Sequence, residues 1–318
     1  MGEFKEVTPS SENPYFKVLA VCSAKQGQVK TLIEGHTKTD QEFSRLNEEN
    51  WQRELEEAKR KGVENLNKKQ VALSGVEILG ETVNLHLLKT DWKTFRLTRS
   101  SKIRESFGSE YMADILGCNV VIRTKDDKLL FVRRSLKGYK PGAASTVGGY
   151  PDVESDVDAE GNWDSFKTIS RELEEETSIK PEEITSLVLS GVIYNKDQMN
   201  ANLAFYADVN LTESQLRQEL AGGSRKTDKE VDLKFIPDTE QDLRNLSLWY
   251  ALANSPAGIS TLAFYAREKY GDQLYDLIMS RLNVRSQKYG TLNQDQKIIM
   301  QQKASDRLGR LSSIKLQD

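Results

Sequence analysis

One segment of the chain separates acidic from apolar residues around a predicted helix, which runs over about residues 163–177. At roughly 100° per residue, one narrow stripe of this helix is apolar and packs on a core. The stripe comprises Phe166, Ile169 and Leu173. An arc of about 100° beside the stripe is acidic. The acidic arc comprises Glu172, Glu175 and Glu176, while Glu174 points away.

Carboxylates at positions i, i+3 and i+4 repel one another, and near the end of a helix they also oppose its dipole. A bound divalent cation would offset this charge, and an all-oxygen ligand set suits Mg²⁺ or Mn²⁺. The alternative is a solvated acidic face that pairs with lysine and arginine side chains.

Predicted strands and helices alternate along the chain, which indicates an α/β fold. Strands are expected over about residues 15–23, 71–79, 82–88, 119–123, 128–133, 187–194, 202–209 and 232–236. Helices are expected over 40–61, 163–177, 212–220 and from 238 onward, and residues 90–95 lead into a polar connection that ends near residue 114. Asp126 and Asp127 separate two of the strands, which is typical of a hairpin.

Composition excludes several classes of function. The chain has 45 Lys and Arg against 48 Asp and Glu, so a large positive surface for nucleic acid is not expected. Two cysteines and two histidines provide neither a disulfide scaffold nor a zinc site. The sequence contains neither a long apolar stretch nor a secretory signal, so we expect a cytoplasmic protein without a membrane partner.

Residues 171–179, Arg-Glu-Leu-x-Glu-Glu-x-x-Ile, resemble the second half of the Nudix box, G-x5-E-x7-R-E-U-x-E-E-x-G-U, where U is aliphatic. Two features depart from that pattern. Ser178 replaces the last glycine, and the spacing from Gly149 to Arg171 is about eight residues longer. Both Glu154 and Glu160 remain open as counterparts of the first box glutamate.

The resemblance implies a Nudix α/β/α sandwich with a mixed sheet, an N-terminal α+β extension and a helical C-terminal region. The corresponding boundaries are a flexible N-terminus over 1–14, an N-terminal domain over 15–113, a Nudix domain over 114–240, and a helical region with a tail over 241–318.

Several segments outside the box are similar to a eukaryotic Nudix subgroup that hydrolyses UDP-sugars. They include residues 90–95, 133–135, 141–142, 148–152, 191–195, 204–206, 211–215 and 222–223. This resemblance implies metal-dependent cleavage of UDP-glucose or UDP-galactose to UMP and the sugar 1-phosphate. The expected partner is thus a small nucleotide-sugar, with no nucleic acid and no known protein partner.

By the same resemblance, Arg171 holds the carboxylates in place and Glu172 orients or deprotonates the attacking water. The metal ligands would be Glu172, Glu175 and Glu176, with Glu230 as a further candidate. The candidate substrate-binding residues are Arg133, Arg134, Lys140, Gly148, Gly149, Asp91 and Trp92.

Two alternatives remain open at this point. The same chemistry could act on ADP-ribose, a dinucleotide or coenzyme A, because the box recognises the diphosphate and not the groups at its ends. The altered box could also belong to a catalytically silent module that senses nucleotides or binds a protein. The acidic segment 152–164 and the helical C-terminal third motivate this second alternative.

Overall fold

A computed structural model of the chain describes residues 16–62, 64–133, 144–196, 198–221, 232–253 and 256–290. The strands are β1 (Phe16–Lys25), β2 (Val29–His36), β3 (Lys69–Leu79), β4 (Thr82–Asp91), β5 (Leu116–Arg123), β6 (Lys128–Arg133), β7 (Ala144–Ser145), β8 (Val147–Gly149), β9 (Ile184–Asn195), β10 (Asn200–Val209) and β11 (Asp232–Pro237). The helices are α1 (Gln41–Arg60), α2 (Trp92–Thr98), α3 (Ser101–Ser106), α4 (Ser165–Thr177), α5 (Glu213–Ala221), α6 (Glu240–Ala253), α7 (Pro256–Tyr270) and α8 (Asp272–Gly290).

Eight of the described strands form one sheet, the main sheet, in the order β1-β9-β10-β5-β6-β11, with β7 beside β6 and β8 beside β5. Strands β10 and β5 run parallel, and the other described pairs of this sheet are antiparallel. The predicted mixed sheet is therefore confirmed. Strand β8 brings Gly148 and Gly149 against β5.

Helices cover both faces of the main sheet. On one face, the apolar stripe of α4 packs with side chains of β5 and β10 such as Val120 and Phe205. On the other face, α6, α7 and α8 pack against Val121, Ile193 and Ala204. Because consecutive strand residues point to opposite faces, these two clusters lie on either side of the sheet. This arrangement confirms the α/β/α fold class.

The N-terminal region contributes a smaller sheet of β2, β4 and β3, in that order. Apolar residues of β4 such as Leu85 and Leu87 pack into the same cluster as α4, and β1 pairs with β9 inside the main sheet. Residues 16–25 thus belong to the main sheet. The domain boundaries proposed from the sequence stay a prediction.

The prediction of a polar connection between residues 95 and 114 is wrong in its first part, where the structure has the end of α2 and all of α3. The Asp91 side chain accepts a hydrogen bond from the Thr94 backbone at 2.7 Å and so caps α2. Helix α2 has only seven residues, too few for an apolar period to show in the sequence. None of the helices that the structure describes combines the length and apolar character needed to span a bilayer.

Candidate active site

Helix α4 positions the predicted acidic residues, and its ends are fixed by the local sequence. The Asp164 side chain accepts a hydrogen bond from the Phe166 backbone at 2.9 Å, so the helix begins there. It ends at Ser178, whose φ of 58° lies in the left-handed region. Glycine is the usual residue in that conformation. The serine that departs from the box motif therefore keeps the backbone turn that a glycine would adopt.

Arg171 lies at the centre of the acidic group. Its guanidinium donates to Asp156 from Nε and Nη2, each at 3.0 Å, which is a bidentate pair. Its Nη1 donates to Glu172 at 2.8 Å and to Glu175 at 3.2 Å. Burial lowers the pKa of Arg171, but hydrogen bonds to Asp156 and the nearby carboxylates outweigh it and raise that pKa above its ordinary value. Arg171 therefore stays charged and fixes three carboxylates around itself.

Asp156 is a residue of this site that sequence reasoning missed. Its side chain is buried, and besides Arg171 it accepts a hydrogen bond from Thr168 Oγ1 at 2.8 Å. Glu154 and Glu160, the two candidates for the first glutamate of the box, do not hydrogen-bond to Arg171. Glu154 pairs instead with Lys69 at 2.7 Å, and Glu160 is exposed. The acidic content of residues 152–164 was the available signal, but spacing alone does not select Asp156 among those acids.

Glu172 is a second buried carboxylate of the group. A Cβ atom placed on Gly149 would lie 2.1 Å from Glu172 Oε1, so only glycine leaves room for this side chain. Burial raises the pKa of Glu172 above its ordinary value, and the charge and hydrogen bond of Arg171 only partly offset that rise. The site therefore holds a carboxylate that is a stronger proton acceptor than an exposed glutamate.

The donor chemistry of this group fits a hard divalent cation. Arg171 Nη1 pairs with both Glu172 Oε1 and Glu175 Oε2, so the two carboxylates lie close together. Oxygen donors of this kind suit Mg²⁺ or Mn²⁺. Within the described ranges, however, no three acidic, histidine or cysteine side chains are grouped as a ready metal site. The ligand set predicted from the sequence, which includes Glu230 outside the described residues, stays a prediction.

Gly148, Gly149 and Trp92 lie at one end of the main sheet, next to Tyr150. The Tyr150 carbonyl accepts a hydrogen bond from Arg171 Nη2 at 3.1 Å, and its ring lies 5.4 Å from that of Trp92. The structure thus places Trp92 beside Tyr150, whose backbone contacts Arg171. The Asp91 carboxylate caps α2 and accepts a hydrogen bond from Asn67, so these contacts have a structural role.

Most of the remaining predicted site residues lie outside the part of the chain that the structure describes. The side chain of Arg133 and the whole of Arg134, Lys140 and Glu230 lie outside the described residues. Glu176 is half-buried, four positions after Glu172 on α4. The roles of these residues in binding stay predictions.

Comparisons with known proteins bear on the family that residues 171–179 resemble. A bovine protein named uridine diphosphate glucose pyrophosphatase NUDT22 is 25% identical over 196 residues, covering 57% of this chain and 68% of its own. The human protein of the same name is 24% identical over 196 residues, with 57% of this chain and 65% of its own covered. This chain resembles the Nudix hydrolases. The matched segment spans about two thirds of each relative, and no protein-family profile matches the chain.

The solved structures that this chain matches include proteins named as NUDIX hydrolases or NUDIX domains. A NUDIX hydrolase from Nitrosomonas europaea has a TM-score of 0.34 and 17% identity, covering 48% of this chain and 89% of its own. The NUDIX domain of Shewanella oneidensis NrtR, solved with ADP ribose, has a TM-score of 0.28 and 17% identity, covering 43% and 82%. The resemblance predicted from residues 171–179 is confirmed by the sequence relatives.

Proposed function

We propose that the protein hydrolyses the diphosphate bond of a UDP-sugar, UDP-glucose or UDP-galactose, to UMP and the sugar 1-phosphate. The observation that carries this proposal is the set of carboxylates that Arg171 holds beside Gly149. The names of the bovine and human relatives support the choice of UDP-glucose. The predicted cytoplasmic location stays a prediction.

In the proposed reaction a water oxygen attacks one phosphorus of the diphosphate, and the bond from that phosphorus to the bridging oxygen breaks. Glu172 orients the attacking water or accepts its proton, because it is a buried carboxylate that Arg171 holds in the group. Arg171 keeps the Glu172 carboxylate oriented through the 2.8 Å hydrogen bond. The leaving oxygen departs with the second phosphate group.

Glu172 and Glu175 would hold a divalent cation, Mg²⁺ or Mn²⁺, with Glu176 as the third predicted ligand. Such an ion neutralises charge on diphosphate oxygens and lowers the pKa of water. Glu172 Oε2 and Glu175 Oε1 make no hydrogen bond within the described part of the chain, which leaves one oxygen of each carboxylate for this purpose.

A product assay tests the proposal. The purified protein is incubated with Mg²⁺ and a panel of UDP-glucose, UDP-galactose, ADP-ribose, a dinucleotide and coenzyme A, and the products are separated by chromatography. We expect UMP and hexose 1-phosphate from the UDP-sugars. Glu176→Gln should abolish this product while the protein stays folded, and Glu174→Gln, on the opposite side of α4, should retain it.

Other outcomes distinguish the alternatives. Cleavage of only ADP-ribose, the dinucleotide or coenzyme A would replace the UDP-sugar by another nucleoside diphosphate derivative. If the protein cleaves no compound but one of them raises its melting temperature, the protein is a nucleotide-binding module without turnover.

A further inference from the structure

A row of asparagines lies on the main sheet next to the candidate active site. By the alternation of strand side chains, Asn119 of β5 and Asn200 and Asn202 of β10 lie on the face opposite α4, because Val120 and Leu203 pack with that helix. Asn202 and Gly117 are direct neighbours across the parallel pair of strands. These amides therefore sit beside the strand end that carries Gly149 and Tyr150.

The hydrogen bonds among these residues leave two polar atoms unused. Thr146 Oγ1 donates to Asn119 Oδ1 at 3.5 Å, and Asn119 Nδ2 donates to Asn202 Oδ1 at 3.2 Å. This relay orients the Asn202 amide, whose Nδ2 has no hydrogen-bond partner among the residues that the structure describes. Asn200 Oδ1 likewise has none there, and both residues are only 3% exposed. Buried polar atoms without partners are rare in folded proteins and call for a specific explanation.

Tyr150 connects this row of amides to the carboxylate group. A Cβ atom on Gly117 would lie 2.8 Å from Asn202 Oδ1 and 3.7 Å from a ring carbon of Tyr150. No side chain of β5 therefore stands between the tyrosine ring and the Asn202 amide. The Tyr150 residue is 38% exposed, and its carbonyl accepts a hydrogen bond from Arg171.

We propose that Tyr150, Asn200 and Asn202 form the subsite for the nucleobase of the substrate. A nucleobase presents a flat ring with hydrogen-bond donors and acceptors on its edge. Tyr150 would stack on the ring, as aromatic side chains commonly do with bases. Asn202 Nδ2 and Asn200 Oδ1 would supply one donor and one acceptor to the edge. This inference rests on the proposed function, because it assumes that the diphosphate lies beside Glu172.

Binding measurements test the subsite separately from catalysis. The full chain and its variants are titrated calorimetrically with UMP, CMP, AMP, GMP and inorganic pyrophosphate. We expect the wild type to prefer one of the four nucleotides. Asn202→Asp, which replaces the free donor by an acceptor, should lower affinity for that nucleotide at least about tenfold and change the order of preference. Affinity for pyrophosphate should stay within about twofold, because it has no base.

The ring of Tyr150 provides a second, independent test. Tyr150→Leu should weaken binding of all four nucleotides about tenfold, whereas Tyr150→Phe should retain it because the stacking surface remains. Asn47→Asp is the matched control, since Asn47 is also buried with an amide oxygen that has no hydrogen-bond partner in the described part of the chain. Its nucleotide affinities should equal those of the wild type.

Unchanged nucleotide preference in Asn202→Asp together with unchanged affinity in Tyr150→Leu would overturn the subsite, and an ordered water would then explain the buried amides. If Asn202→Asp does not fold, Asn202→Ser replaces it, and Tyr150→Leu decides alone if neither folds. Base-dependent binding without hydrolysis would overturn the proposed function only. Hydrolysis of UDP-sugars with no dependence on these residues would overturn the subsite only.

Discussion

At Glu172, helix α4 holds a carboxylate against the backbone of Gly149, where burial raises the pKa of that carboxyl group. A second acid, Asp156, is buried on the other side of Arg171. The guanidinium between them keeps both acids in fixed positions. The candidate site thus holds more buried negative charge than one arginine balances, which favours a bound cation.

Replacing Glu172 should stabilise the metal-free protein. The folded-state pKa is raised, so ionised Glu172 destabilises the folded state at every pH above the ordinary glutamate pKa of about 4.3. Glu172→Gln should therefore raise the melting temperature at pH 7. The gain should shrink as the pH falls through the folded pKa and disappear below about 4. A lower melting temperature at pH 7 in thermal unfolding would contradict this account.

Asp156 should matter to folding as well as to activity. Asp156 is buried and paired bidentately with Arg171, and hydrogen bonds to a charged group contribute about 1.5–3 kcal/mol. We expect Asp156→Asn to lower the free energy of unfolding by about 1–3 kcal/mol in urea denaturation, because Glu172 and Glu175 still pair with Arg171. Asp158→Asn, in the same segment, serves as the control. An equal effect of both variants would show that the Arg171 pair is not responsible.

The sequence predicted some of these residues and not others. A helical period of 3.6 residues is sufficient to place Glu172 and Glu175 on one side of α4, since only local geometry is involved. The partner of Arg171 depends on how residues 152–164 fold back on the helix, which no local period determines. Asp156 was missed for this reason.

At the scale of elements, most of the long amphipathic and apolar segments were predicted well, but strand β2 and several short elements were missed. Helix α4 begins within two residues of the predicted position, and the hairpin of β5 and β6 turns at Asp126 and Asp127 as expected. Helices α2 and α3 were missed because helices of seven and six residues are too short for the helical repeat of apolar residues to show in the sequence. Their fold depends on packing, as shown by Phe95 against Ile115.

The end of α4 provides a test at this scale. Ser178 has a φ of 58°, a conformation that costs a residue with a Cβ atom about 1 kcal/mol relative to glycine. Ser178→Gly should thus raise the free energy of unfolding by about 0.5–1 kcal/mol. Ser178→Val should lower it, because a branched side chain is disfavoured there. Chemical denaturation of the two variants measures both effects, and opposite signs would contradict the assigned helix end.

At the scale of the whole molecule, the main sheet connects the candidate site on one face with the C-terminal helices on the other. Gly191 of β9 lies beneath the Phe264 ring of α7, and a Cβ atom at Gly191 would lie 2.5 Å from that ring. Asp238 accepts a hydrogen bond from Tyr265 at 2.6 Å and so holds α7 to the end of β11. The order of elements indicated a helical C-terminal region, but which sheet face it covers depends on such long-range contacts.

An added methyl group at Gly191 tests the contact between α7 and the main sheet. Gly191→Ala should lower the free energy of unfolding by about 1–3 kcal/mol, because an extra methyl group overpacks the core. Combining it with Phe264→Leu should recover part of that loss. Urea denaturation of the single and double variants provides the comparison. If the losses in the free energy of unfolding of the two single variants add up in the double variant, Gly191 and Phe264 are not in contact.

In the proposed function, the carboxylates held by Arg171 bind a divalent cation and the protein hydrolyses a UDP-sugar. The most direct measurement is the rate of UMP release from UDP-glucose as Mg²⁺ is titrated, for the wild type, Glu172→Gln and Glu174→Gln. We predict no release without Mg²⁺, saturable release for the wild type and Glu174→Gln, and a loss of at least about a hundredfold for Glu172→Gln. Equal rates for Glu172→Gln and the wild type, or full release without a divalent cation, would contradict the account.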